Sequence, residues 1–135
     1  MSLINWENSY SVGVNEIDVQ HKNLFNLINS LYDAMNQSKE TNILNSVMKN
    51  LIDYADYHFK TEEKYFDQFN YEKKEIHKEQ HKVYQEKISQ FVKKMENEKN
   101  IIAFDILDFL EDWWLQHINK SDKEYAECFH KHRLY

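Results

Sequence analysis

The chain has no proline, one glycine and one cysteine in 135 residues. Without proline no helix is broken from within, and with Gly13 alone there is almost no residue suited to positive-φ turns. A fold of many hairpins is therefore disfavoured. The abundance of Leu, Lys, Glu, Asn and Gln predicts an all-α protein instead. Cys128 has no partner for a disulfide, and the start MSLINWENSY offers neither a basic nor an apolar leader region, so a reducing cytoplasm is expected. Cys128 itself reads as a small half-buried hydrophobe. The longest aliphatic or aromatic run, Ile101 to Phe104, is too short to span a bilayer, so no membrane is expected. A net charge of −6 with mixed-sign faces argues against nucleic acid as a partner. The length suits a single domain, 1–135, that buries a core without covalent staples.

Apolar spacing divides the chain into an N-terminal arm, four helices and a short C-terminal helix. The arm, 1 to 17, is anchored by Trp6, Tyr10 and Ile17, and Asp18 is placed to cap the helix after it. That helix carries Leu24, Leu27, Ile28, Leu31 and Met35 on one stripe, with His21 in register at its first turn. A polar break, Asn36 to Thr41, separates it from a second helix with Leu44, Val47, Leu51, Ala55, His58, Glu62 and Tyr65 or Phe66 facing inward. The connection Asp67 to Glu72 is short, which predicts an antiparallel third helix from about Lys73, bearing His77, His81, Tyr84, Ile88, Phe91 and Met95. After a charged loop at 96–100, a fourth helix from Ile101 aligns Ile106, Leu107, Leu110, Trp114 and His117. The expected architecture is an antiparallel up-down-up-down four-helix bundle. In the tail, Tyr125 and Phe129 should turn inward, with His130, Lys131, His132 and Arg133 in water.

Two pairs dominate the stretch from Tyr57 to His81: His58 with Glu62, and His77 with His81. A spacing of i to i+4 is about 400° on an α-helix, so both members of each pair leave one face a turn apart and can grip one ion. Imidazole mixed with carboxylate suits iron, copper, nickel or zinc and not the all-oxygen sites of calcium or magnesium. A lone histidine on an apolar stripe is usually a hydrogen-bonded core residue. Here His21, His58, His77, His81 and His117 all face inward on four helices, and leaving each unpaired would cost roughly 1 to 3 kcal/mol. Coordination removes most of that cost. Asp122 lies five residues after His117, an offset of about 140°, so the two share a site only if the backbone leaves α geometry near Asn119 to Ser121. Glu63, about 100° around from Glu62, reads as solvated, as do Glu79 and Glu127.

His21, His58 with Glu62, His77 with His81, and His117 with Asp122 resemble the hemerythrin family's H, HxxxE, HxxxH and HxxxxD pattern over essentially the whole chain. The opening from Trp6 through SVGV and IDxQH to His21 is similar to the arm of the bacterial members. The resemblance implies two iron ions (Fe2+/Fe3+) with a bridging oxo or hydroxo group. His77, His81 and His117 would bind one and His21 and His58 the other, with Glu62 and Asp122 bridging. It implies reversible dioxygen binding on the two-histidine iron, for storage, delivery or scavenging, with no catalytic residue. Candidates for the oxygen pocket are Trp114, Leu24 and Phe59. Two departures stand out: Trp114 occupies a position commonly leucine, and Tyr71 one that is often proline.

Other readings are weaker. A ferritin-type oxidase needs two ExxH motifs on the core, and the only ExxH here is Glu127 to His130 in the tail; a zinc protease needs HExxH, and HKEQH places its glutamate one position late. The runner-up within the family is a diiron enzyme acting on peroxide or nitric oxide, with an oxygen or redox sensor module behind it, since no signalling domain follows Tyr135. The inward faces carry no spare acid or base beyond the ligands, which favours a carrier. The sequence specifies no protein partner.

Overall fold

Four long helices carry the chain: α1 (Asn15–Asn36), α2 (Thr41–Gln68), α3 (Lys74–Met95) and α4 (Lys99–Trp113). A computed structural model describes residues 4–36, 41–95 and 99–135, and the side chains of these apart from 36, 41–44, 95 and 99–103. The expected polar break at 36–41, the loop at 96–100 and the inward positions Leu44, Met95 and Ile101 thus fall wholly or partly outside the described residues. Each helix packs on its neighbour in sequence and α4 returns to α1, closing an up-down-up-down bundle. No strand occurs among the described residues, and no helix there is long and apolar enough to cross a membrane.

The second turn-around shows how the bundle manages without proline and with one glycine. Asn70 takes φ 51°, Tyr71 N–H donates to the Phe66 carbonyl at 2.9 Å and Asn70 N–H to that of Asp67 at 3.4 Å. This is a Schellman closure with asparagine in the left-handed position, and the Phe66 and Tyr71 rings supply its apolar contact at 5.1 Å. Tyr71 thus seals the connection at the position where proline is often found. The same closure ends the tail at Arg133, φ 63°.

The core is split in two. One cluster, from Leu24, Ile28, Leu51, Phe59, Tyr84, Ile88, Ile106 and Leu110, fills most of the bundle. The other joins Val12, Val14 and Ile17 to Phe66, Tyr71, Tyr125 and Phe129 at one end. Each such side chain, fully buried, contributes roughly 1.5 to 3 kcal/mol. On α1, α2 and α3 the predicted ligands sit at the boundary between the clusters: His21 between Ile17 and Leu24, Glu62 between Phe59 and Phe66, His81 between Tyr71 and Tyr84.

Three expectations need correction. Asp18 does not cap α1, which starts three residues earlier at Asn15; it lies in the first turn, where its carboxylate accepts from the Ser11 hydroxyl and the Val12 N–H and so fastens the arm. An acid there also suits the positive end of the helix. Ile17 belongs to α1, while Trp6 and Tyr10 anchor the arm as expected, packing on Phe25 at 5.6 and 5.7 Å. His130 is not simply solvated. Its Nε2 donates to the Gly13 carbonyl at 2.9 Å, and a Cβ at Gly13 (φ 74°) would stand 2.7 Å from that ring. The sole glycine sits where both its freedom and its lack of a side chain are needed.

Candidate metal centre

Uninterrupted α-helix sets two of the ligand pairs. His58 and Glu62 leave α2 one turn apart, as do His77 and His81 from α3, and His21 enters from the first turns of α1. The fourth contribution needs a distortion. After Trp113 the helix widens to a π-helix over Trp114–Ser121, and Asp122 N–H donates to the carbonyl of His117. Bonding i to i+5 inserts one residue per turn and returns Asp122 to the face of His117. The departure expected from the i to i+5 spacing is present at that place.

All seven side chains are at most 4% exposed. They fall into two groups whose candidate ligand atoms lie within 4.8 Å of one another: Glu62, His77, His81, His117 and Asp122, and His21, His58, Glu62 and Asp122. The carboxylates belong to both. Asp122 Oδ1 is 2.8 Å from His77 Nε2 and 2.9 Å from His117 Nε2, while Oδ2 is 2.9 Å from His21 Nε2. Glu62 Oε1 lies 3.1 Å from His81 Nε2 and 3.3 Å from His58 Nε2. None of these five Nε2 atoms makes an aligned hydrogen bond, nor do Glu62 Oε1 and the two Asp122 oxygens. Native cores rarely leave so many buried polar atoms unmet. Lone pairs converging without hydrogen-bond alignment are what a shared cation would satisfy.

Electrostatics supports the same state. Burial and Asp122 raise the Glu62 carboxyl, but His58 and His81 outweigh them and hold it at about 2. Asp122 is kept well below the ordinary carboxylate range, since His117, His21 and His77 overcome its burial. Burial lowers His58 to about 4 and also lowers His117. At neutral pH the site therefore offers two ionised carboxylates with neutral imidazole at His58 and His117, which is a donor set for divalent or trivalent cations.

The ring nitrogens facing outward reveal partners that spacing alone missed. His81 Nδ1 donates to Glu63 Oε2 at 2.7 Å, so Glu63 is not merely solvated. It lies in a groove of about 270 Å³ between α2 and α3 that reaches His81. His58 Nδ1 donates to Gln20 Oε1, and Gln20 Nε2 in turn donates to Thr61 Oγ1 at 3.2 Å. Such contacts fix the tautomer that leaves Nε2 free for a metal. The Tyr125 hydroxyl donates to Glu62 Oε2, a polar group absent from the sequence reading of an inward face without spare acids. Glu79 and Glu127 are exposed as expected.

Residues 12–129 match the hemerythrin HHE cation binding domain. The chain belongs to the hemerythrin family. Among curated relatives it is 37% identical over 124 residues to a hemerythrin-like protein of Naegleria fowleri, spanning 92% of each chain. It is 27% identical over 126 residues to a bacteriohemerythrin of Clostridium acetobutylicum, spanning 90% of this chain and 98% of that one. Among solved structures, a hemerythrin carrying a leucine-to-tyrosine substitution superposes with a TM-score of 0.81 at 28% identity, covering 95% of this chain and 98% of the other. The wild-type hemerythrin crystal structure gives 0.80.

Within this hemerythrin the three pocket candidates occupy different places. Leu24 is fully buried one turn after His21. Phe59 lies flat on His81, with centroids 3.8 Å apart and planes at 6°, and 5.9 Å from His58. Trp114 is half-buried and packs edge-on against Tyr10 at 4.7 Å and Phe25 at 5.6 Å; the indole stacked on a ligand histidine is its neighbour Trp113, 3.9 Å from His117.

Proposed function

We propose that this hemerythrin holds two irons and binds dioxygen reversibly between them and the apolar walls of the bundle. The observation that carries the reading is the pair of overlapping donor groups sharing Glu62 and Asp122. Three imidazoles, the two shared carboxylates and one bridging oxo or hydroxo oxygen would complete a six-coordinate ion on the side of His77, His81 and His117. The same carboxylates with His21 and His58 alone would hold the second ion with one donor fewer. Iron bound there would supply both the open position and the electrons that dioxygen binding requires.

The chain's own residues do the rest. The Tyr125 hydroxyl holds Glu62 by Oε2 and leaves Oε1 turned to the histidines. Gln20 and Glu63 hold the Nδ1 protons of His58 and His81, so that Nε2 is the nitrogen each turns to a metal. Leu24, a turn after His21, and Phe59, stacked on His81, supply apolar walls that would exclude the water whose protons promote release of a reduced product. Such walls favour a carrier over rapid turnover of peroxide or nitric oxide, the alternative reading.

The test is an optical spectrum of the iron-loaded, reduced protein. Admitting air should produce a new visible absorption that vanishes on removal of oxygen and returns over repeated cycles. A single irreversible conversion, or fast consumption of peroxide with a reductant present, would replace the carrier with the enzyme.

A further inference from the structure

Among the described buried polar atoms outside the seven metal-site residues, the hydroxyl of Tyr54 stands out. Tyr54 leaves α2 one turn before His58, and the two rings lie nearly parallel, centroids 5.3 Å apart and planes at 13°. The residue as a whole is half-buried, yet its hydroxyl oxygen is enclosed and has no hydrogen-bond partner. An enclosed hydroxyl that has surrendered water and gained nothing is rare in a native core. The cluster it packs against, with Leu24, Ile28, Leu51 and Phe59 among its members, is apolar and offers few groups to accept a hydrogen bond. Tyr84, a fully buried phenol, has an unpartnered hydroxyl of its own.

The stacking on His58 places the phenol beside the two-histidine side of the centre. Burial, then the Tyr84 phenol and the charges of Glu62 and Asp122, hold it well above the ordinary tyrosine value. A phenol keeps its proton at physiological pH, which makes it a lasting hydrogen-bond donor and a poor acid. That agrees with a carrier.

We propose that the Tyr54 hydroxyl is a hydrogen-bond donor to the small acceptor held at the open position beside His58 and His21, and that it selects for ligands carrying a negative or strongly accepting outer atom. The inference rests on the two-iron reading above. On binding, the hydroxyl gains the partner it lacks, so that its unmet state in the empty pocket becomes affinity for an accepting ligand and is of no use to an apolar one.

Azide, a linear anion with acceptor nitrogens at both ends, is the probe. Tyr54→Phe keeps the ring stacked on His58 and removes only the donor. The oxidised, iron-loaded variant should bind azide at least about tenfold more weakly than the wild type, with iron content unchanged. In the metal-free state it should be no less stable to heat than the wild type, because the hydroxyl has no partner to lose. Equal azide affinity in the two proteins, or a clear loss of stability in the metal-free variant, would overturn the inference while leaving the two-iron reading intact. A wild-type protein that loads iron but takes up no azide would overturn the open position itself, and the inference with it.

Discussion

The backbone N–H of Asp122 donates to the carbonyl of His117, a hydrogen bond that spans five residues where an α-helix would span four. That single irregularity puts the Asp122 carboxylate 2.9 Å from His117 Nε2 on one oxygen and 2.9 Å from His21 Nε2 on the other. Inserting an alanine after Asn119 should place the aspartate six residues from His117, about 240° around an α-helix, and swing it off the shared face. Iron content should fall from about two per chain to one or none, with helicity by circular dichroism little changed. Full iron loading of the insertion variant would show that the register between His117 and Asp122 is incidental.

His81 differs from His58 in the charge of its outer partner: a carboxylate, Glu63, against a neutral amide, Gln20. An anion on Nδ1–H strengthens the imidazole as a donor, so Glu63→Ala should weaken cobalt binding at the three-histidine position by about 10- to 100-fold, with Glu63→Gln recovering part of the loss. Gln20→Ala should act on the other position. A two-step cobalt titration separates them; equal effects of the Glu63 and Gln20 variants on both steps would contradict the assignment.

Loading should also release a proton. In the metal-free protein burial would lower the His81 imidazole, but the carboxylates of Glu62 and Glu63 outweigh it and hold the group at about 9. Because this value is raised above the ordinary 6.5, protonated His81 stabilises the metal-free fold fully below about pH 6.5, and that contribution is lost as pH rises through about 9. Metal must displace the Nε2 proton, so apparent affinity should rise by up to about tenfold per unit between pH 7 and 9. His58, lowered to about 4, adds nothing in this window. Calorimetry in buffers of different ionisation enthalpy counts the protons; a pH-independent affinity across that window would refute the charge state assigned to His81.

Gly13→Ala combines two penalties, a left-handed φ of 74° and a Cβ 2.7 Å from the His130 ring. It should cost about 1 to 3 kcal/mol in thermal unfolding. Adding His130→Ala should relieve the crowding but not the backbone strain. If the double variant is no more stable than the single one, the crowding is not what matters.

The ligands were legible because each pair repeats at helical spacing on a stripe otherwise apolar, and the distortion after His117 was legible because five residues cannot share an α-helical face. Glu63 was not. Its angle to Glu62 on α2 points it to solvent, and only the approach of α3 brings His81 Nδ1 to it. Gln20 was hidden for the same reason, since its partner His58 is 38 residues away on another helix. Asp18 reads as a helix cap by residue type, yet the arm claims its carboxylate, and the helix begins earlier because Asn15 to Ile17 lack any breaker.

Anomalous diffraction at the iron edge from crystals of the loaded protein tests the central claim most directly. The account predicts two peaks per chain, one ringed by His77, His81 and His117, the other by His21 and His58, with Glu62 and Asp122 touching both. A single peak, or two peaks that do not share those carboxylates, would contradict it.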